Sequence, residues 1–194
     1  MTDDPIHKLS HLVGSARAGD RASLEELVSL FHLEIFRMVY YRTCSRMDAE
    51  DLTQEIFIKM SKNLDRVRDP ARFKAWLYRI ALNRVRDFYR KKSLLSFFAT
   101  TKAGEDTELS GEHHTALDHI MEKEFWHQFH RLSGQLSRKE REVFILRYVD
   151  QLGIREIAET LRSSESTVKT HLYRALKKFK QAPGLRLLLK GSLT

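Results

Sequence analysis

Two sets of cations, each placed beside hydroxyls or aromatic rings at helical spacing, could do chemistry in this chain. That chemistry is the binding of DNA. In the run Leu152–Lys180, Ser166, Thr167, Thr170, Tyr173, Arg174, Lys177 and Lys178 share one helical face, with Lys169 on its flank. Short hydroxyls near a helix N-terminus suit base edges, and cations further along suit phosphates. Upstream, Arg72, Arg79, Asn83, Arg86 and Arg90 align on one face of another helix, with Trp76 at its edge. Tyr78 and Tyr89 also fall outside that helix's inner face, which Phe73, Leu77, Ile80, Ala81 and Phe88 form. Arginines interleaved with rings suit single-stranded DNA, because cations follow phosphates while rings stack on unpaired bases; the other reading is a basic helix that binds duplex DNA or is merely solvated.

The elements that must position these residues follow from periodicity and caps. Ile154, Ile157, Ala158 and Leu161 fall on one face of a short helix. Arg162–Ser163 reads as a turn, and Ser164 as an N-cap whose hydroxyl accepts from the amide of Thr167. Val168, Leu172, Ala175, Leu176 and Phe179 then form the inner face of the second helix. The whole predicts a helix-turn-helix, whose second helix enters the major groove. Ser137-Arg-Lys-Glu140 is a capping box opening a helix to Val149. Earlier helices are predicted from His7 to Ala18, from Asp20 onward, from Asp48 with Asp51 completing a box-like pair, and from Asp69-Pro70 to Lys92. Ser93–His114 has no periodicity and reads as a linker, followed by a helix over Thr115–Leu132.

The third helix carries Leu52, Ile56, Phe57, Met60 and Leu64 on its core side. Its other side shows Asp51, Gln54, Glu55 and Ile58. An apolar residue inside an acidic patch reads either as a partner-docking stripe or as a solvated face with one stray isoleucine.

Composition bounds the class. The chain has 194 residues, 42% of them hydrophobic, with net charge +8. The charge is sorted: +5 over residues 1–92, −5 over 93–124 and +7 over 135–194. Basic blocks flanking an acidic middle favour an anionic partner. One cysteine, Cys44, excludes an internal disulfide and a multi-cysteine zinc site, and it is expected to be buried. No apolar run approaches a membrane span, and the polar start MTDDPIHKLS is no signal peptide, so a cytoplasmic protein is expected. Few glycines and prolines and little β-branched alternation predict an all-α chain: two small helical domains joined by a flexible acidic linker. Glu124 and His127 have the E-x-x-H spacing of helical di-iron sites, but such sites need two such motifs and only one occurs. His113, His114, His119, His127 and His130 are assigned to a linker and a surface helix. With no phosphate loop or nucleophile motif, no metal, cofactor or catalytic residue is expected.

These motifs, in this order, resemble the extracytoplasmic-function (ECF) class of bacterial RNA polymerase sigma factors. DAEDLTQEIFIKM resembles the polymerase-docking helix of region 2, FKAWLYRIALNRVRDFYRKK the helix that opens and reads the −10 element, and LSRKEREVFILRYVDQLGIREIAETL with STVKTHLYRALKKFK region 4, which reads the −35 element. The resemblance implies region 2 over 1–92, a linker over 93–114, region 4 over 115–182 and a tail over 183–194. It implies core RNA polymerase as partner, through the β′ clamp helices and the β subunit, with Asp51, Leu52, Gln54, Glu55 and Ile58 on the clamp. Arg79, Asn83 and Asp87 would face −10 DNA, alongside Arg72, Trp76, Arg86 and Arg90, and Leu64–Arg72 would hold a flipped base. Lys169, Thr170, Tyr173 and Arg174 would read −35 DNA, flanked by Ser166, Thr167, Lys177 and Lys178. The linker would thread the polymerase toward its RNA exit channel. An anti-sigma factor, in many members membrane-anchored, is the further partner implied. The tail leucines Leu185, Leu187, Leu188 and Leu189 would pack back on region 4 or meet that partner.

The chain departs from the family pattern in three places. Arg162 stands where glycine is frequent, which predicts an altered turn, since a side chain at positive φ is costly. Gly153 replaces a Ser or Pro cap. His171 lies where a small or polar residue is usual. The alternative functions are a helix-turn-helix regulator that is not a polymerase subunit, and an adaptor that binds polymerase only.

Overall fold

The structure, a computed structural model, describes residues 5–98 and 134–180. The chain divides into two compact units, Met1–Gly111 and Glu112–Thr194. The expected helix over Thr115–Leu132, the linker histidines, the E-x-x-H pair and the tail leucines lie outside the described residues. Every described element is helical.

The first unit holds α1 (Pro5–Arg17), α2 (Arg21–Thr43), α3 (Arg46–Lys62), the 3-10 turns Leu64–Arg66 and Pro70–Arg72, and α4 (Phe73–Phe98). Asp20 caps α2 as expected, its carboxylate accepting the Ser23 amide at 3.0 Å. Those bonds from Ser23 hold the Asp20 carboxyl below its usual range. α2 ends at Cys44, which takes the left-handed conformation (φ 54°, ψ 24°). Cys44 is therefore exposed at a helix terminus and not buried, correcting the expectation. α3 starts at Arg46, earlier than Asp48, because Ser45 is the cap: its Oγ accepts the Asp48 amide at 3.3 Å.

Asp69 caps a 3-10 turn, accepting the Ala71 amide at 3.0 Å, and that turn feeds α4 at Phe73. α4 runs to Phe98, six residues beyond the predicted end at Lys92 and into the expected linker. Residues 93–98 contain neither Gly nor Pro, so each residue extends the helix at little cost once it is nucleated. The core joins Leu27, Ile35, Met38 and Val39 of α2 to Ile56 and Met60 of α3 and to Phe73, Leu77 and Ala81 of α4, all under 2% exposed. The Phe31 and Phe73 rings meet at 5.3 Å. Tyr78 joins this core at 1% exposure and donates its hydroxyl to Glu34 at 3.4 Å. It was expected outside the inner face; packing of α2 against α4 widens the buried arc beyond the wheel's stripe.

The second unit holds α5 (Arg138–Tyr148), α6 (Ile154–Leu161) and α7 (Glu165–Lys180). Leu136, Phe144, Ala175 and Phe179 form a core cluster, with the Phe144 and Phe179 rings 4.4 Å apart. α6 adds Ile157, Ala158 and Thr160, while Leu161 is half-buried. Among the described residues, no helix is long and apolar enough to cross a membrane.

Candidate nucleic-acid interface

The α6–turn–α7 geometry is set by its caps. Gly153 is the N-cap of α6 at φ −68° and ψ 158°, and its amide donates to Glu156 Oε2 at 2.6 Å. A β-carbon there would meet that oxygen at 3.3 Å, so glycine lets the carboxylate close over the cap. Arg162 ends α6 at φ 52° and ψ 48°, and its amide reaches the Ala158 and Glu159 carbonyls. The Ser163 amide donates to the Ala158 carbonyl at 2.9 Å, completing a C-terminal cap. The turn thus keeps the left-handed residue that glycine would favour. The altered turn expected from Arg162 is not what the structure shows; the arginine adopts the conformation at an energetic cost.

Ser164 Oγ accepts the Thr167 amide at 3.2 Å, as expected. It also contacts the Ser166 and Thr167 hydroxyls at 2.9 and 2.8 Å, which clusters three hydroxyls at the N-terminus of α7. Val168 and Ala175 are fully buried beneath that helix, and Phe179 almost so. Ser166, Thr167, Lys169, Thr170, Tyr173, Arg174 and Lys177 are all exposed, Tyr173 to 68%. Thr170 Oγ1 donates back to the Ser166 carbonyl at 2.9 Å, which fixes its methyl and oxygen positions. Lys178 is set apart: it is half-buried, with Nζ 2.6 Å from Glu140 Oε2. His171 is half-buried, and its Nδ1 lies buried with no hydrogen-bond partner.

In the first unit, the residues expected on −10 DNA lie along α4 and the turn before it. Arg72 is exposed and pairs with Asp69 at 3.2 Å. Trp76 is half-buried, its ring 5.8 Å from that of Phe73. Arg79 is half-buried, whereas Asn83 and Arg86 are exposed, with Arg86 Nη1 3.4 Å from Asn83 Oδ1. Asp87 pairs with Arg90 at 3.1 Å. Tyr89 is 44% exposed, but its hydroxyl donates to the Arg42 carbonyl at the end of α2. Burial raises its phenol pKa. Within 64–72, Leu64 and Val67 are buried while Asp65, Arg66, Arg68 and Ala71 are exposed.

On α3, Asp51, Gln54, Glu55 and Ile58 form an exposed stripe, with Ile58 46% exposed. Leu52 does not belong to it: at 5% exposure it faces the core, so no partner can reach it directly. Glu55 is tied across to Arg84 of α4 by a salt bridge. Gln54 and Ile58 also line a groove of about 670 Å³ between α2 and α3, walled by Leu33, His32, Phe36 and Phe57. His32 stacks on Phe57 at 5.9 Å and on Phe36 at 6.5 Å. The sequence reading missed this α2 wall. The i, i+4 spacing of His32 and Phe36 was visible, but nothing in it says that α3 closes the other side.

A helix-turn-helix with a basic outer face on one unit, and a basic aromatic helix with an apolar-acidic stripe on the other, define a two-module helical protein. The match to known families makes this specific. The Sigma-70 region 2 model matches residues 27–94, and the Sigma-70 region 4 model matches residues 126–179. The chain is similar to the ECF RNA polymerase sigma factor SigW of Bacillus subtilis, 28% identical over 84% of this chain and 89% of that protein. It is also similar to the ECF RNA polymerase sigma factor SigD of Mycobacterium tuberculosis, 30% identical over 89% of this chain and 82% of that protein. Its fold resembles that of the sigma factor RpoE solved with the anti-sigma factor NepR from Bartonella quintana, at a TM-score of 0.61 and 21% identity, covering 86% of this chain and 96% of that one. The chain belongs to the ECF class of RNA polymerase sigma factors. Its function is the direction of transcription initiation at promoters with RNA polymerase, as a regulatory subunit.

Proposed function

We propose that each unit performs one part of promoter recognition. α7 lies in the major groove of the −35 element, with Ser166, Thr167, Thr170 and Tyr173 toward base edges and Lys169, Arg174 and Lys177 toward phosphates. α4 receives the melted −10 strand: Arg72, Arg79, Arg86 and Arg90 follow the phosphates, while Trp76, Asn83 and Asp87 meet the bases. The buried Leu64 and Val67 anchor the intervening turns, whose exposed Asp65, Arg66, Arg68 and Ala71 would frame a flipped base. Asp51, Gln54, Glu55 and Ile58, with the adjoining α2–α3 groove, dock on the β′ clamp helices of core RNA polymerase, and the chain also meets the β subunit. An anti-sigma factor is the regulatory partner. The protein works in the cytoplasm, and the acidic linker runs toward the RNA exit channel.

The observation that carries this reading is α7 itself, which turns Ser166, Thr167, Lys169, Thr170, Tyr173, Arg174 and Lys177 outward while Val168, Ala175 and Phe179 are buried on its other side. Run-off transcription with purified core polymerase and a promoter library tests it. Protein-dependent initiation at a shared two-block motif is the expected result. Duplex binding without any rise in initiation would refute it in favour of a regulator that is not a polymerase subunit.

A further inference from the structure

Glu140 is buried at 5% exposure and serves two helices at once. It is the third residue of α5 and closes that helix's capping box, with Oε2 accepting the Ser137 amide at 2.8 Å while the Glu140 amide donates to Ser137 Oγ at 3.3 Å. The same Oε2 receives Lys178 Nζ at 2.6 Å from α7, which lies far away in sequence. A buried carboxylate is costly unless it is both paired and hydrogen-bonded, and this one is both. The Lys178 side chain keeps 39% exposure, so its stem reaches inward while part of it stays wet.

The position of Lys178 on the helix explains why it, and not its neighbour Lys177, reaches this carboxylate. At about 100° per residue, Lys178 stands about 100° round the axis from Lys177. Lys177 lies over the row of Thr170 and Tyr173; Lys178 lies on the flank against α5. Both lysines are near the C-terminus of α7, where a cation is favoured by the helix dipole, so the sequence alone makes them equivalent. Only the carboxylate brought by α5 separates them.

We infer that Glu140 is a positioning residue for promoter recognition: by holding Lys178 it fixes the rotation of α7 on α5 and removes one cation from the phosphate-facing row. The inference rests on the placement of α7 on −35 DNA proposed above. The phosphate-facing cations are then Lys169, Arg174 and Lys177, and Lys178 belongs to the scaffold. Loss of the carboxylate charge would release Lys178 to the DNA, which adds non-specific attraction and loosens the register in which α7 meets the bases.

The test uses the full chain bound to core RNA polymerase, on duplexes enriched from a random library by the wild-type holoenzyme. The readout is the slope of log affinity against log salt, which scales as about 0.9 per phosphate that the protein neutralises. Lys177→Met is expected to flatten the slope by about 0.9, and Lys178→Met to leave it unchanged. Glu140→Gln keeps an oxygen for the Ser137 amide and is expected to steepen the slope by about 0.9. The double change Glu140→Gln with Lys178→Met returns it to the wild-type value, and Lys178→Arg, which keeps the pair, matches wild type throughout. Thermal melts confirm that each variant is folded. A slope flattened by Lys178→Met as much as by Lys177→Met overturns the inference, as does an unchanged slope for Glu140→Gln. If Lys177→Met and Arg174→Ala also leave the slope unchanged while initiation persists, the placement of α7 on DNA is wrong and the inference falls with it.

Discussion

Replacing Arg162 by glycine should stabilise the second unit, although glycine is ordinarily the more disordering residue. Arg162 is an L-residue held at φ 52° and ψ 48° at the end of α6. That conformation costs a non-glycine residue about 1–2 kcal/mol through the clash of its β-carbon. Glycine adopts it freely but brings about 0.4–1 kcal/mol of extra conformational entropy to the unfolded chain. The difference leaves roughly 0.5–1 kcal/mol in favour of Arg162→Gly. Both cap bonds, from the Arg162 and Ser163 amides to carbonyls near the end of α6, survive the change because they are backbone bonds. For a unit of this size, that difference moves the melting midpoint up by about 3–6 °C. Arg162→Ala is the control: it removes the same charge and stem but keeps the β-carbon, so it should give none of the rise. Scanning calorimetry of the full chain, following the transition of the second unit, measures both. A midpoint for Arg162→Gly at or below wild type, or an equal rise for Arg162→Ala, would refute the reasoning. In the first case the turn stores no strain; in the second the rise comes from lost charge.

Other outcomes follow from the same geometry. Arg174→Ala should weaken binding about equally across substituted duplexes and flatten the salt slope by about 0.9, as read by competition binding over a salt series. Ile58→Asp should lower holoenzyme assembly, measured by titration of labelled core polymerase, while the melting of the purified chain stays close to wild type because the side chain is already exposed. Glu140 carries the pH dependence. Its carboxyl is held below the unfolded value of 4.5, first by the Lys178 ammonium and then by the Ser137 bonds. A depressed acid stabilises the fold fully above its unfolded pKa and loses that contribution as pH falls through its folded pKa. The stability gap between wild type and Glu140→Gln should therefore be constant near neutrality and close progressively below about pH 4.5, as seen in denaturant titrations. A gap that persists unchanged into stronger acid would remove the ion pair as its cause.

Much of this protein is legible from sequence because its elements are local. Asp20, Ser137 and Ser164 accept the amides that their spacing assigns to them, since a cap depends only on residues a few places away. Val168, Ala175 and Phe179 are buried, and Arg174 and Lys177 exposed, since a period of 3.6 fixes which side chains share a face. The family and its two-module function follow from such local patterns in order. What the sequence could not decide is which neighbour covers a flank. Tyr78 is buried because α2 lies over it. Cys44 is exposed because α2 stops there in a left-handed cap, which no apolar context announces. Lys177 and Lys178 read as equals until α5 brings Glu140 to one of them. The α2 wall of the groove beside Ile58 likewise exists only once α3 packs against it. Periodicity gives each helix its faces, but contacts between residues distant in sequence decide which face meets solvent, protein or charge.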